Sequence, residues 1–243
     1  MNEKLPREKK ASAQEVDAFV AKARALTKDA AGQIPGRLLF AIDATMSRQP
    51  SWDMACHIQA EMFRETMAIG GLSVQLAWFR GFSEFKVNPW VDDASALARQ
   101  MQPVRCLSGR TQITRCLQHA LETARETARK DRVKAMIYIG DCVEEPEAEL
   151  YRLAGQLGLS GIRLFAFHEG HDGRAEQCFR EMARLSGGAF AKFDLGSPDR
   201  LRELLAAVAV YAAGGQQALR DHGKQGRGAA QHLLTQIQGD SVC

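Results

Sequence analysis

The residues Arg37–Ser47, RLLFAIDATMS, place the tightest constraint on the fold. Leu38 to Ile42 form a continuous apolar run without alternation. A strand with one solvated face alternates apolar and polar residues. A strand covered on both faces does not, so this run reads as a central strand of a buried sheet. It stops on Asp43, and Thr45 and Ser47 follow at steps of two. One short turn thus offers a carboxylate and two hydroxyls. In open α/β sheets, ligands bind outside the carboxyl ends of the strands, so this turn is where chemistry is expected.

A second fully apolar run, Ala135–Gly140 (AMIYIG), also ends on an aspartate, Asp141. Leu72–Phe79, Glu84–Val87, Ile162–His168 and Ala189–Phe193 read as further strands, the first two pairing as a hairpin around Gly81. Helical spacing fills the intervals. Ala55, Ile58, Met62, Thr66 and Ile69 form one stripe, stopped by Gly70-Gly71. Asp92 or Asp93 caps a short helix through Met101. Ile113, Leu117, Ala120, Leu121, Ala124 and Ala128 trace another helix, with Thr111 as its hydroxyl cap. Glu144–Leu157 and Gly173–Leu185 read as helices. Ser197-Pro198 opens a last strong one, with Leu201, Leu204, Leu205, Val208 and Ala212 on its inner face and Gly214-Gly215 at its end.

Strands alternating with helices argue for an α/β architecture. The expected fold is a Rossmann-like, doubly wound, mainly parallel sheet of about six strands, with one antiparallel edge strand and helices on both faces. One domain is expected over residues 37–213. It is preceded by an extension, 1–36, whose Ser12–Ala31 reads as a helix. It is followed by a flexible tail, 214–243, where Leu233, Leu234 and Ile237 make a weak amphipathic helix.

With 32 Lys and Arg against 29 Asp and Glu, the net charge of +3 is too small, and too dispersed, to imply nucleic acid. The six cysteines show no CxxC spacing and read as reduced thiols packed as small apolar residues. No apolar leader follows MNEKLPREKK and no run is long enough to span a membrane, so a cytoplasmic protein is expected. Neither GxGxxG nor GxxxxGK[ST] follows the first strand, which removes dinucleotide and P-loop readings.

If the strands ending on Asp43 and Asp141 are neighbours, two carboxylates share one rim. Each then resists ionisation unless a cation stands between them. Thr45, Ser47 and Thr111 add neutral oxygens. Oxygen donors with few charges suit a hard divalent cation such as Mg²⁺. Singly, each aspartate is equally a cap or a turn former; the set is what points to a site. His168 and His171 lie near a strand end with too few ligands around them for zinc and read as loop or partly buried residues. Cys142 sits near a helix start, where a thiol pKa can fall, but no histidine is placed to act as its base.

Asp43-Ala44-Thr45-Met46-Ser47 resembles the DxSxS motif of von Willebrand factor type A (VWA) domains, with threonine for the first serine. Thr111, within Ser108-Gly109-Arg110-Thr111, resembles that family's separate loop threonine, and Asp141 its later strand-end aspartate. The segment Met182–Phe193 followed by Leu201–Val208 is similar to the family's closing elements. The resemblance implies a metal-ion-dependent adhesion site (MIDAS) in which Asp43, Thr45, Ser47, Thr111 and Asp141 hold Mg²⁺ or Mn²⁺. It further implies a binding module, not an enzyme, whose partner protein offers an Asp or Glu to the metal. By the same resemblance, that partner is an AAA+ ATPase. Arg110 and Cys142 depart from the glycines common at those positions, and Glu144 and Glu145 stand close by as competing acids. Two rivals are a metal-free scaffold and a metal-dependent phosphoryl-transfer hydrolase with Asp43 as nucleophile. Haloacid-dehalogenase-type phosphatases need a second acid two residues on, as general acid, and here that residue is Thr45.

Overall fold

The computed structural model describes residues 35–58, 60–66, 71–126, 132–194, 198–224 and 228–238. The helix expected over Ser12–Ala31 lies outside them, as do Ile69, Gly70, Ala128 and Ser197. The strands are β1 (Gly36–Asp43), β2 (Leu72–Arg80), β3 (Glu84–Val87), β4 (Val133–Gly140), β5 (Arg163–Glu169) and β6 (Ala189–Phe193). The helices are α1 (Gln49–Ile58), α2 (Ala60–Thr66), α3 (Ala94–Met101), α4 (Ile113–Glu126), α5 (Glu147–Leu159), α6 (Gly173–Leu185), α7 (Pro198–Lys224) and α8 (Gly228–Gln238).

The strands form one sheet in the order β3-β2-β1-β4-β5-β6. All neighbours are parallel except β2 and β3, which pair antiparallel through the turn at Gly81. The two-faced burial read from Leu38–Ile42 is met. Leu38, Phe40 and Ile42 enter one core layer, with residues of α1, α2, α3, α7 and α8. Leu39 and Ala41 enter the other, with α4, α5 and α6. The chain runs from β1 outward to β2 and β3, then returns to place β4 on the other side of β1. Connections from β1 and β4 therefore diverge, leaving a crevice between their carboxyl ends. Ile42 is level with Ile139, so Asp43 and Asp141 leave the sheet side by side.

The stripe from Ala55 to Thr66 lies on α1 and α2, to either side of residue 59. Two elements differ from expectation. The helix expected from Glu144 begins only at Glu147. Pro146 disfavours helical backbone in the residue before it, and both preceding glutamates are engaged elsewhere. The last strong helix is broken at Gly214-Gly215, as expected: Gly215 adopts φ 70° and ψ −163°, a conformation open to glycine, and a second helical stretch follows to Lys224.

In place of a loose tail, α8 packs into the core. Leu219, Ala229, Ala230, Leu233 and Ile237 are all buried there. Half of the α8 stripe is alanine, which keeps the hydrophobic signal weak but lets two helices approach closely. Gln236 also fastens α8 to the edge strand: its side-chain oxygen accepts from Phe190 N at 2.7 Å and its amide donates to Phe190 O at 2.8 Å. Leu233→Ala is expected to cost about 2–5 kcal/mol, as for a leucine in a packed interior. Urea denaturation checks this, and a loss below about 0.5 kcal/mol would place α8 outside the cooperative core.

Candidate metal site

Each strand-end aspartate is positioned by what its own strand buries. Asp43 closes β1 and is fully buried, and Thr45 N donates to its Oδ1 at 2.7 Å. Ala44 N donates to Phe79 O of β2 at 2.9 Å, which fixes where the chain leaves the sheet. Thr45 through Arg48 then form one tight turn, in which Arg48 N donates to Thr45 O at 2.9 Å. That turn points Ser47 back across the crevice, and its hydroxyl donates to Asp141 Oδ2 at 2.6 Å.

Asp141 is fixed from the other side. His168, level with Gly140 in β5, has its Nε2 3.2 Å from the Asp141 carbonyl oxygen. A carbonyl oxygen only accepts, so Nε2–H is the donor, and burial lowers the His168 pKa. Its ring stacks edge-on against Phe179 at 5.6 Å. His168 is thus a fully buried strand residue, where the sequence suggested a loop or partly buried one, and it also holds the Asp141 backbone.

The second carboxylate oxygens carry the chemical information. Asp43 Oδ2 and Asp141 Oδ1 are buried and accept no hydrogen bond from the described residues. Orphaned buried acceptors are rare because their desolvation is uncompensated. Ligand atoms of Asp43, Asp141 and Cys142 all lie within 4.8 Å of one another. Burial raises the Asp43 carboxyl from 3.8 to about 6. The Thr45 N–H and hydroxyl and the Arg48 guanidinium pull it down, and Asp141 pushes it further up. Two orphan oxygens aimed into one crevice fit a hard cation.

The candidate residues are not joined equally. Asp43, Thr45, Ser47 and Asp141 form one connected group. Thr111 stands at the same rim but is tied to the loop after Asp141: its N–H donates to Glu144 Oε2 at 2.8 Å and its hydroxyl accepts from Glu144 N at 3.1 Å. It is not the cap of α4. Glu145 takes that role from across the rim, accepting from Thr114 N at 2.7 Å. The acidic pair is therefore bound to the start of α4 and is not turned toward the aspartates.

Burial and the charges of Asp141 and Asp43 push the Cys142 thiol up to about 12, the reverse of the activation expected at a helix start. Two participants were missed in the sequence. Arg48 is 1% exposed and forms an ion pair with Glu169, the last residue of β5. A charged residue directly after a hydroxyl-rich turn carries no signal of burial, because charged residues are ordinarily exposed.

The rim is built from three loops. Leu107 N donates to Ala44 O at 3.1 Å, and Arg110 N to Gly81 O at 3.0 Å. A Cβ on Gly109 would lie 1.9 Å from Gly81 O, so only glycine allows the loop before Thr111 to seat on the β2–β3 turn. Met46, Phe82 and Leu107, one from each loop, are 58%, 78% and 45% exposed.

Comparison with protein-family models and with curated proteins finds no match. Solved structures do resemble this one. The SpRpn10 VWA domain superposes with a TM-score of 0.54 at 12% identity, covering 69% of this chain and 95% of that one. A von Willebrand factor type A protein from Catenulispora acidiphila gives 0.57 at 18% identity, over 72% of this chain and 43% of that one. BatB from Bacteroides thetaiotaomicron gives 0.54 at 15% identity, over 78% and 99%. At these identities the likeness establishes the fold: a VWA-like α/β domain, with the paired aspartates at its topological switch point. No described helix is long and apolar enough to cross a membrane.

The raised Asp43 pKa has a measurable consequence. The folded state holds this proton more tightly than the unfolded chain, so the associated stability is present below about pH 4 and is lost as pH rises through about 6. In chelator at about pH 8, Asp43→Asn is expected to exceed the wild type in stability by something on the order of 2–3 kcal/mol. The margin should close by about pH 4; a margin independent of pH would remove the buried charge as its cause.

Proposed function

We propose that this chain is a protein-binding module. In this reading it holds Mg²⁺ or Mn²⁺ at Asp43, Thr45, Ser47, Thr111 and Asp141, and captures an acidic side chain of a partner protein there. The observation that carries the reading is the pair of orphaned oxygens, Asp43 Oδ2 and Asp141 Oδ1, buried at adjacent strand ends. A bound divalent cation would supply an open coordination position for an incoming carboxylate. The residues of the chain do the rest. Thr45 N–H holds Asp43 in place, and Ser47 bridges the two strand ends through Asp141.

The rim supports a protein as the ligand. Met46, Phe82 and Leu107 offer exposed apolar surface around the crevice, and partner sites commonly surround a polar anchor with such surface. Arg110, exposed in the same loop as Leu107, favours an acidic partner. An AAA+ ATPase as that partner rests on the sequence resemblance alone.

Binding is favoured over catalysis by what stands beside Asp43. Thr45 occupies the position at which a haloacid-dehalogenase-type phosphatase would need its general acid. The Cys142 thiol is pushed up to about 12, and His168 is buried and engaged with the Asp141 backbone. Neither is poised as nucleophile or base.

Calorimetric titration with Mg²⁺ and Mn²⁺ tests the reading. One saturable site is expected in the wild type and none in Asp43→Ala. Partner capture should fail equally with that variant and with EDTA. A flat titration of the wild type, or capture that survives both treatments, overturns the proposal.

A further inference from the structure

We propose that Arg48 is the built-in counter-cation of this crevice, and that its ion pair with Glu169 sets how tightly a divalent cation is held. This rests on the cation reading above, and it concerns a buried cationic side chain on the turn that carries Thr45 and Ser47. Arg48 is the last residue of that turn. Its carbonyl accepts from Ser51 Oγ at 3.0 Å and its N–H donates to Thr45 O at 2.9 Å, so its backbone moves only if the ligand-bearing turn moves. Its side chain is 1% exposed. An arginine is rarely so buried unless paired.

The charges around it do not balance pairwise. Glu169 forms the ion pair, and the Asp141 and Asp43 carboxylates also favour the charged guanidinium. Outside that pair, Nε and Nη2 of Arg48 make no hydrogen bond to the described residues, and neither do Asp43 Oδ2 or Asp141 Oδ1. Donors and acceptors without hydrogen-bonding partners therefore share one buried region. Three carboxylates against one guanidinium leave a formal charge of −2, which a divalent cation cancels.

Two arrangements follow. Without a divalent cation, the guanidinium shields Asp43 and Asp141 from one another. With one bound, Glu169 retains the guanidinium and keeps its positive charge from opposing the ion. Arg48 thus weakens cation binding, and Glu169 strengthens it.

The opposite signs make the test. Arg48→Met should tighten Mg²⁺ and Mn²⁺ in calorimetric titration by about tenfold or more, a gain of about 1.4 kcal/mol. Glu169→Gln should weaken both by a similar factor, because the released guanidinium then competes at the aspartates. A purely structural role for the ion pair loosens the turn in either variant, so affinities that fall together, or that do not move, overturn the proposal. If Arg48→Met does not fold, Arg48→Gln takes its place in the same comparison with Glu169→Gln, with the same opposite signs expected.

Thermal melting in EDTA provides an arm that needs no bound metal. Asp43→Asn should raise the midpoint more in the Arg48→Met background than in the wild type, as coupled charges require. If all titrations are flat, the cation reading fails, and Arg48 is judged on this coupling. An excess rise supports it as counter-cation, and equal rises in both backgrounds overturn it.

Discussion

A carboxylate without access to water is costly unless its surroundings answer it, and Asp43 is in that position. The strand order brings the carboxyl ends of β1 and β4 together, so a second carboxylate, Asp141, lies beside the first. Much of the surrounding local structure answers that juxtaposition. Thr45 N–H and Ser47 Oγ each take one oxygen. His168 fixes the Asp141 backbone, and Arg48 places a positive charge below, tied to Glu169. The fold builds the crevice from hydrophobic burial alone, whereas these polar groups decide what can enter it.

The sheet was legible because its signal is physical and local. Leu38–Ile42 and Ala135–Gly140 cannot be half-exposed strands, and alternation with helical stripes leaves few architectures. The site aspartates were legible for a related reason, since a buried run that stops on an acid places that acid at a sheet rim. What escaped was set by tertiary partners. Thr111 reads as a helix cap by position, yet Glu144 holds it and Glu145 caps the helix instead. Arg48 and Glu169 lie 121 positions apart in the chain and meet only because β5 follows β4 in the sheet. The tail was misread because alanine-rich packing leaves little hydrophobic contrast, although Leu233 and Ile237 are as buried as any strand residue.

The rim loops bear on recognition through rigidity. The turn after β1, the β2–β3 turn and the loop before Thr111 are joined by main-chain hydrogen bonds from Leu107 and Arg110 and by the close seating of Gly109 on Gly81. Surface presented by such a frame loses little conformational freedom on binding, so contact area converts to affinity with less entropic loss. Met46, Phe82 and Leu107 are displayed on that frame, around an acidic floor.

The amide of Gln236 has a bearing on how copies of this chain behave toward each other. A sheet edge with unpaired N–H and C=O groups is a template on which another strand can grow, the starting point of polymerisation and amyloid. On β6, Gln236 occupies both main-chain groups of Phe190 in the manner of a neighbouring strand, while Lys192 on the same short edge is ion-paired with Glu176 of α6. The opposite border is the four-residue β3, too brief to seed extended pairing. Helix α8 therefore acts as a sterile terminus to the sheet, limiting strand-mediated self-association through β6 at a border away from the crevice at the strand ends.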